Sequence, residues 1–211
     1  MIRIFNGFVK VTGFVLWWIL FRPKIYYKDK KVQGRHIKGQ AVIMSNHTSV
    51  FDYALFLGIF LTRTLRYQMA EVLFRKKFLG WFLRSMGGIY VNRDTYNFSF
   101  VDESVDIVNK GGVVGIFPES RLPRKGEETP LPFKPSGSLV ALRSGAPIIP
   151  VYTDGVYFSA KRARLIIGTP VYAKDFYDES LSEKENVKLI SKELRNIIVE
   201  LKNELERQKD K

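Results

Sequence analysis

The sequence contains no cysteine and only two histidines, His36 and His47. The first absence excludes disulfides, thiolate metal sites and a cysteine nucleophile, and it suits a reducing compartment. The second makes a histidine-based metal centre a poor expectation and narrows the choice of a general base. No G-x-S-x-G elbow is present either, so a covalent route has no obvious carrier. Acidic residues are scarce beside basic ones: 21 Asp and Glu face 34 Lys and Arg, a net charge of +13. So lopsided a balance points to a polyanionic partner, either nucleic acid, anionic lipid or a phosphorylated small molecule. Nucleic acid is disfavoured, because no helix-turn-helix, zinc-finger or RNP motif occurs.

Long apolar runs are also lacking. The charge-free stretch Val11–Phe21 would reach about 16 Å as a helix, against a hydrocarbon core of about 30 Å. Extending it to Met1 would set Lys10 near mid-bilayer, at a cost of about 2.5–3.5 kcal/mol. Arg3 and Lys10 stand among Phe5, Phe8, Phe14, Trp17, Trp18 and Phe21. Basic residues beside Trp and Phe suit a helix lying in the bilayer interface. The run ends in Phe21-Arg22-Pro23-Lys24, unlike a signal-peptide cleavage site. We therefore expect a membrane-associating segment at 1–24 and one catalytic-sized domain at 25–211, with a hydrophobic content of 45% that supports a core.

Within that domain apolar runs alternate with helical periodicity. Ala41–Met44, Leu65–Ala70, Ile89–Asn92, Val113–Phe117, Pro147–Tyr152 and Arg164–Gly168 read as strands. Tyr53–Phe60, Glu71–Arg84, Phe98–Asn109, Ser136–Arg143 and a long segment through Val187, Ile190, Leu194, Ile198, Leu201 and Leu205 read as helices, the last opened by Ser182-x-x-Glu185. Residues 25–40 read as a connector with a short strand. The basic and aromatic run from Phe74 to Arg84 fits either a second membrane contact or an amphipathic helix on the core. The alternation predicts a single α/β domain with a mixed, partly parallel sheet flanked by helices.

Three strand ends carry the chemistry. Asn46-His47-Thr48-Ser49-Val50-Phe51-Asp52 follows the first strand. Residues five apart on one helix point about 140° away from each other, so His47 can meet Asp52 only from the loop, with Asp52 in the first helical turn. That arrangement would fix an imidazole tautomer by a carboxylate. Ser49 and Asp52 also fit a capping box, in which Asp52 only satisfies backbone N–H groups. The second strand ends in Arg93; the third ends in Glu119-Ser120-Arg121. In open α/β sheets ligands gather at strand carboxyl ends. A base, a carboxylate and arginines there suit deprotonation of a hydroxyl on a phosphate-bearing molecule, since Arg bonds phosphate bidentately.

These blocks resemble the glycerolipid acyltransferase family that includes 1-acylglycerol-3-phosphate acyltransferases. Its N-H-x-S-x-x-D block is matched by Asn46, His47, Ser49 and Asp52; its strand ending in Arg by Gly88–Arg93; its F-P-E-G-T-R block by Phe117, Pro118 and Glu119; its Pro-rich apolar strand by Ala146–Val151. Ser120-Arg121 stands where the family has Gly-Thr-Arg, one residue shorter, and Phe133-Lys134 fits the family further on. The resemblance implies transfer of a fatty acyl group from a thioester, acyl-CoA or acyl carrier protein, to a lysophospholipid hydroxyl. It implies His47 as base and Asp52 as its orienting partner. It also implies Ser49, Arg93, Glu119, Arg121 and Lys134 as acceptor-binding residues, with no metal or cofactor. Arg93 is the expected phosphate ligand, and Glu119 is expected to orient an arginine or the acceptor's glycerol. The expected partners are the lysophospholipid, the acyl thioester and a membrane surface rich in anionic lipid, met from the cytoplasmic face as a peripheral or monotopic protein. Two alternatives stand: acylation of glycerol 3-phosphate or another lysolipid, or a non-enzymatic basic binder of membrane or nucleic acid.

Overall fold

The computed structural model describes residues 1–92 and 98–208. The helix α1 (Ile2–Phe21) precedes β1 (Lys24–Tyr27), β2 (Ala41–Ser45), α2 (Asp52–Ile59), β3 (Leu65–Ala70), α3 (Glu71–Phe74), α4 (Lys77–Ser85) and β4 (Ile89–Val91). The chain continues through α5 (Ser99–Asn109), β5 (Val113–Ile116), α6 (Pro135–Ser144), β6 (Ile148–Thr153), β7 (Arg164–Ile167), a short 3-10 turn and α7 (Glu183–Arg207).

The seven strands form one sheet in the order β1-β7-β6-β2-β5-β3-β4. From β6 to β4 all neighbours are parallel, whereas β7 runs antiparallel to β6 and takes β1 with it. The sheet is therefore mixed, as the alternation of elements predicts. Strand β2 lies at its centre, buried at every residue. Its alternate side chains feed two cores. Val42 and Met44 join α5, α6 and α7 on one face, and Ala41 and Ile43 join α2 and Tyr67 on the other. On α7, Val187, Ile190, Leu194, Ile198, Leu201 and Leu205 are buried, following the spacing read in the sequence. The Ser182–Glu185 capping box is formed in both directions.

The segment expected as one helix over Glu71–Arg84 is two. The chain breaks at Arg75-Lys76 and folds α4 back on α3. Gly80 allows this crossing, since a Cβ there would lie 2.5 Å from the Phe74 carbonyl oxygen.

Helix α1 is long and apolar enough to cross a membrane by length and composition. One of its faces, however, is committed to the domain. Buried Asn6 donates to Met86 O, Lys10 Nζ donates to the Phe60 and Leu61 carbonyls at 3.2 and 3.3 Å, and Trp17 Nε1 donates to Ala54 O at 2.9 Å. Lys10 thus satisfies carbonyls at the C-terminal end of α2, where a cation is favoured. Gly58 gives Trp17 its seat: a Cβ on Gly58 would lie 2.0 Å from the indole ring. The opposite face leaves Ile4, Phe8, Val11, Val15, Trp18 and Ile19 exposed. Alongside, α4 exposes Phe78 and Trp81 among Lys76, Lys77 and Arg84, and Phe5 of α1 meets Trp81 and Phe82 edge-on.

Candidate active site

The parallel strands β6, β2 and β5 end side by side, and the loops after them meet. From the β2 loop, His47 Nδ1 lies 2.8 Å from Asp52 Oδ2. Asp52 opens α2 and its carboxylate is fully buried. The turn between them brings the two together as the sequence requires. Oδ2 also accepts the backbone N–H groups of Thr48 and Ser49, at 2.7 and 2.9 Å. Oδ1 accepts the Thr48 hydroxyl at 3.0 Å and the Tyr157 hydroxyl at 2.6 Å. The two readings of Asp52 are therefore not exclusive: it holds the loop's backbone and the imidazole at once. Five donors thus converge on one carboxylate that has no exposure to water.

An Asp52 carboxylate can only accept from Nδ1, which assigns the proton there and leaves Nε2 as the acceptor nitrogen of a neutral ring. The ring lies flat on Phe117, with centroids 4.3 Å apart and planes 11° apart. Its side chain is 20% exposed, enough for a substrate to reach it. His36 lies elsewhere on the surface, against Thr62.

The β5 loop supplies Glu119, whose carboxylate bonds the backbone around the dyad. Its Oε1 accepts the His47 N–H at 2.8 Å and its Oε2 accepts the Leu131 N–H at 2.9 Å. Both carboxylate oxygens thus clamp backbone. One end fixes the base's loop to the β5 end; the other anchors the 120–135 loop. Burial raises the Glu119 carboxyl above the usual range, opposed by these two N–H groups. Ser120 follows with φ 61°, a left-handed conformation that glycine adopts at less cost.

Of the remaining expected site residues, only Ser49 bonds the dyad, through its backbone N–H to Asp52 among the described contacts. Ser49 Oγ accepts the Phe51 N–H at 3.2 Å, a helix-start role. Arg121 is exposed and forms a bidentate pair with Glu127 within its own loop, at 2.7 and 2.9 Å. Lys134 is exposed at the start of α6, its N–H donating to Pro118 O at 2.8 Å. Arg93 lies outside the described residues. Among the described residues no cluster of three or more His, Asp or Glu could hold a metal.

Sequence reasoning missed the contribution of β6. Asn46 Nδ2 donates to Thr153 O and its Oδ1 accepts the Thr153 N–H, both at 2.9 Å. Asn46 therefore works like one more strand pair, locking the β2 end to the β6 end. Gly155, at φ +68°, lets the next loop close on Thr48, where a Cβ would lie 2.5 Å from the Thr48 hydroxyl oxygen. That closure delivers Tyr157 to Asp52. The available signal was the strand-end rule applied to a fourth strand, since no motif marks Tyr157.

The comparisons with known proteins agree with this geometry. The family model described as Acyltransferase matches residues 23–154. The 1-acyl-sn-glycerol-3-phosphate acyltransferase of Bacillus subtilis (strain 168) is 29% identical over 171 residues, which are 78% of this chain and 82% of that protein. The crystal structure of the 1-acyl-sn-glycerophosphate (LPA) acyltransferase PlsC from Thermotoga maritima superposes with a TM-score of 0.66 at 21% identity, covering 93% of this chain and 79% of that one, and so shares the fold. With residues 23–154 matched, a span that carries His47, Asp52 and Glu119, the chain belongs to the acyltransferase family.

Proposed function

We propose that the protein transfers a fatty acyl group from an acyl thioester to the free hydroxyl of a lysophospholipid, with 1-acylglycerol 3-phosphate as acceptor and phosphatidic acid as product. The observation that carries this reading is the His47–Asp52 dyad, with Nδ1 engaged and Nε2 turned to be the base. An alcohol is a poor nucleophile until its proton is taken, and a positioned base contributes about 10²–10⁴-fold. His47 Nε2 takes the hydroxyl proton as the oxygen attacks the thioester carbonyl. The buried Asp52 carboxylate stabilises the imidazolium that forms. Collapse of the tetrahedral adduct breaks the C–S bond, and the imidazolium returns the proton to the leaving thiolate. Ester and thiol are the products, and no acyl-enzyme intervenes. The donor is acyl-CoA or acyl carrier protein, used as co-substrate with no other cofactor. The names of the Bacillus and Thermotoga relatives support lysophosphatidic acid as acceptor. Its phosphate is assigned to Arg93, with Arg121 and Lys134 as further cations on the 120–135 side.

Residues 1–24 serve as the membrane-associating segment of a monotopic protein on the cytoplasmic face. Asn6, Lys10 and Trp17 bond the domain along one flank of α1, so α1 can enter a bilayer only sideways, with its exposed apolar face down. The exposed Phe78 and Trp81 of α4 extend that face, and Lys76, Lys77 and Arg84 beside them favour anionic lipid.

The test is mass spectrometry of products from purified full-length protein offered a mixed set of lysolipids, glycerol 3-phosphate and acyl donors, with His47→Ala in parallel. Phosphatidic acid from 1-acylglycerol 3-phosphate is the expected product, and turnover should fall about 10³-fold in the variant, within the range for loss of a general base. A folded His47→Ala within about tenfold of wild type defeats the base; a product made only from another acceptor defeats the substrate assignment.

A further inference from the structure

We propose that Tyr157 is a positioning residue of the transfer reaction, its hydroxyl setting the orientation and charge density of the Asp52 carboxylate and, through it, the basicity of His47. The inference rests on His47 being the base. Tyr157 lies beyond the residues that the family model matches, and none of the blocks at residues 46–52, 88–93, 117–121 or 146–151 includes it.

Its geometry is built from three sides. The hydroxyl donates to Asp52 Oδ1 at 2.6 Å, a short bond of the kind made to an ionised acceptor. The same oxygen lies 3.1 Å from the Thr153 hydroxyl, which can donate back to it. The ring packs edge-on to Phe21, with centroids 5.3 Å apart. Thr153 is itself held by both ends of the Asn46 amide. The chain of contacts therefore closes on itself: Asn46 fixes Thr153, Thr153 supports Tyr157, Tyr157 restrains Asp52, and Asp52 holds the residue after Asn46. Burial and the neighbouring carboxylate push the Tyr157 hydroxyl well above its ordinary range, so it remains a donor at every working pH.

Other groups face the dyad. Glu119 bonds the His47 N–H, and its charge and that of His47 act on each other. Tyr67 on β3 feels the field of Asp52, and Tyr53 on α2 stacks edge-on to Tyr67. The hydroxyls of Tyr53 and Tyr67 are buried and bond no described residue, so of these three phenols Tyr157 alone is placed to donate to Asp52. Removing its proton leaves a less neutralised carboxylate. The imidazolium beside it is then favoured, and His47 should stay protonated to higher pH.

The chain's two histidines make this directly measurable. Imidazole resonances of the full-length protein in detergent micelles give two titrations, with His36→Gln assigning the exposed ring. In Tyr157→Phe, which keeps the ring packing, the His47 midpoint and the acid limb of the kcat profile should both rise by about 0.5–1 pH unit, part of the effect of one lost hydrogen bond to a charged group, because His47 feels the loss through Asp52. The plateau kcat should fall about 3–10-fold with both KM values unchanged, as expected for looser positioning. Tyr53→Phe, which removes a hydroxyl that bonds no described residue, should titrate as wild type. A folded Tyr157→Phe whose titration and rate profile superimpose on wild type, while His47→Ala is inactive, overturns the proposal and leaves the base in place. An active His47→Ala instead overturns the base, and Tyr157's role with it. Should Tyr157→Phe fail to fold, Thr153→Val removes the donor that polarises the phenol. It should shift the titration in the same direction by a smaller amount, and no shift in that variant also overturns the proposal.

Discussion

Asp52→Asn separates the two tasks that the Asp52 carboxylate performs. The amide can enter the site with its oxygen in the place of Oδ2, still accepting from His47 Nδ1 and the N–H groups of Thr48 and Ser49. Its NH₂ then faces the Thr48 and Tyr157 hydroxyls, each of which can accept as well as donate. The backbone of the turn keeps its partners, and a buried charge is removed. The change in stability should lie within about 1 kcal/mol, or about 2–4 °C in Tm for a chain of this size. The rate tells the opposite story. With the imidazolium and carboxylate charges about 4 Å apart at an effective dielectric of about 20, the lost attraction is about 4 kcal/mol. At about 1.36 kcal/mol per decade, kcat should fall about 10³-fold. Initial-rate measurements with thiol detection and thermal unfolding by circular dichroism read the two effects independently. A kcat within about tenfold of wild type refutes the catalytic half of the argument. A fall in Tm beyond about 10 °C refutes the proposed accommodation of the amide.

Three further outcomes follow from the fold. Gly58→Ala should destabilise by about 2 kcal/mol despite alanine's better helix propensity, because the new Cβ collides with Trp17; a raised Tm would show that α1 does not dock there. Ser120→Gly should raise stability by about 0.5–1 kcal/mol by relieving the left-handed serine, and a lowered denaturant midpoint at unchanged slope would contradict it. The paired change Phe8→Glu and Val15→Glu, on the exposed face of α1, should shift the protein from vesicle pellet to supernatant with its circular dichroism intact; retention in the pellet would move the membrane contact elsewhere.

Much of this architecture was legible because period and punctuation agree. The β2 run, the α7 spacing and the Ser182 cap each state one element without competition. The Glu71–Arg84 stretch reads as one helix because helical spacing continues across Arg75-Lys76, while the break accompanies the close crossing at Gly80. The dyad was legible because a five-residue spacing admits only one geometry. The backbone bonds of Glu119 were not, because an acidic residue at a strand end carries no sign of which N–H groups it will meet. Only the fold reveals that the backbone N–H groups of residues 47 and 131 claim both its oxygens. Tyr157 was hidden for a related reason: its partner is 105 positions away, and no local pattern encodes so distant a bond.

The docking of α1 bears on the work of moving a lipid. Trp17 and Phe21, on the last turns of the helix assigned to the bilayer, touch the two pieces that hold Asp52: Trp17 bonds α2 and Phe21 supports Tyr157. Withdrawing an acyl chain wholly into water costs about 0.8 kcal/mol per methylene, more than 10 kcal/mol for a long chain. With α1 in the headgroup layer, as proposed above, a reaction centre fixed to that helix avoids most of that climb. The lysolipid need raise only its glycerol and phosphate to the level of His47, while its tail stays in the bilayer from which the product is then released.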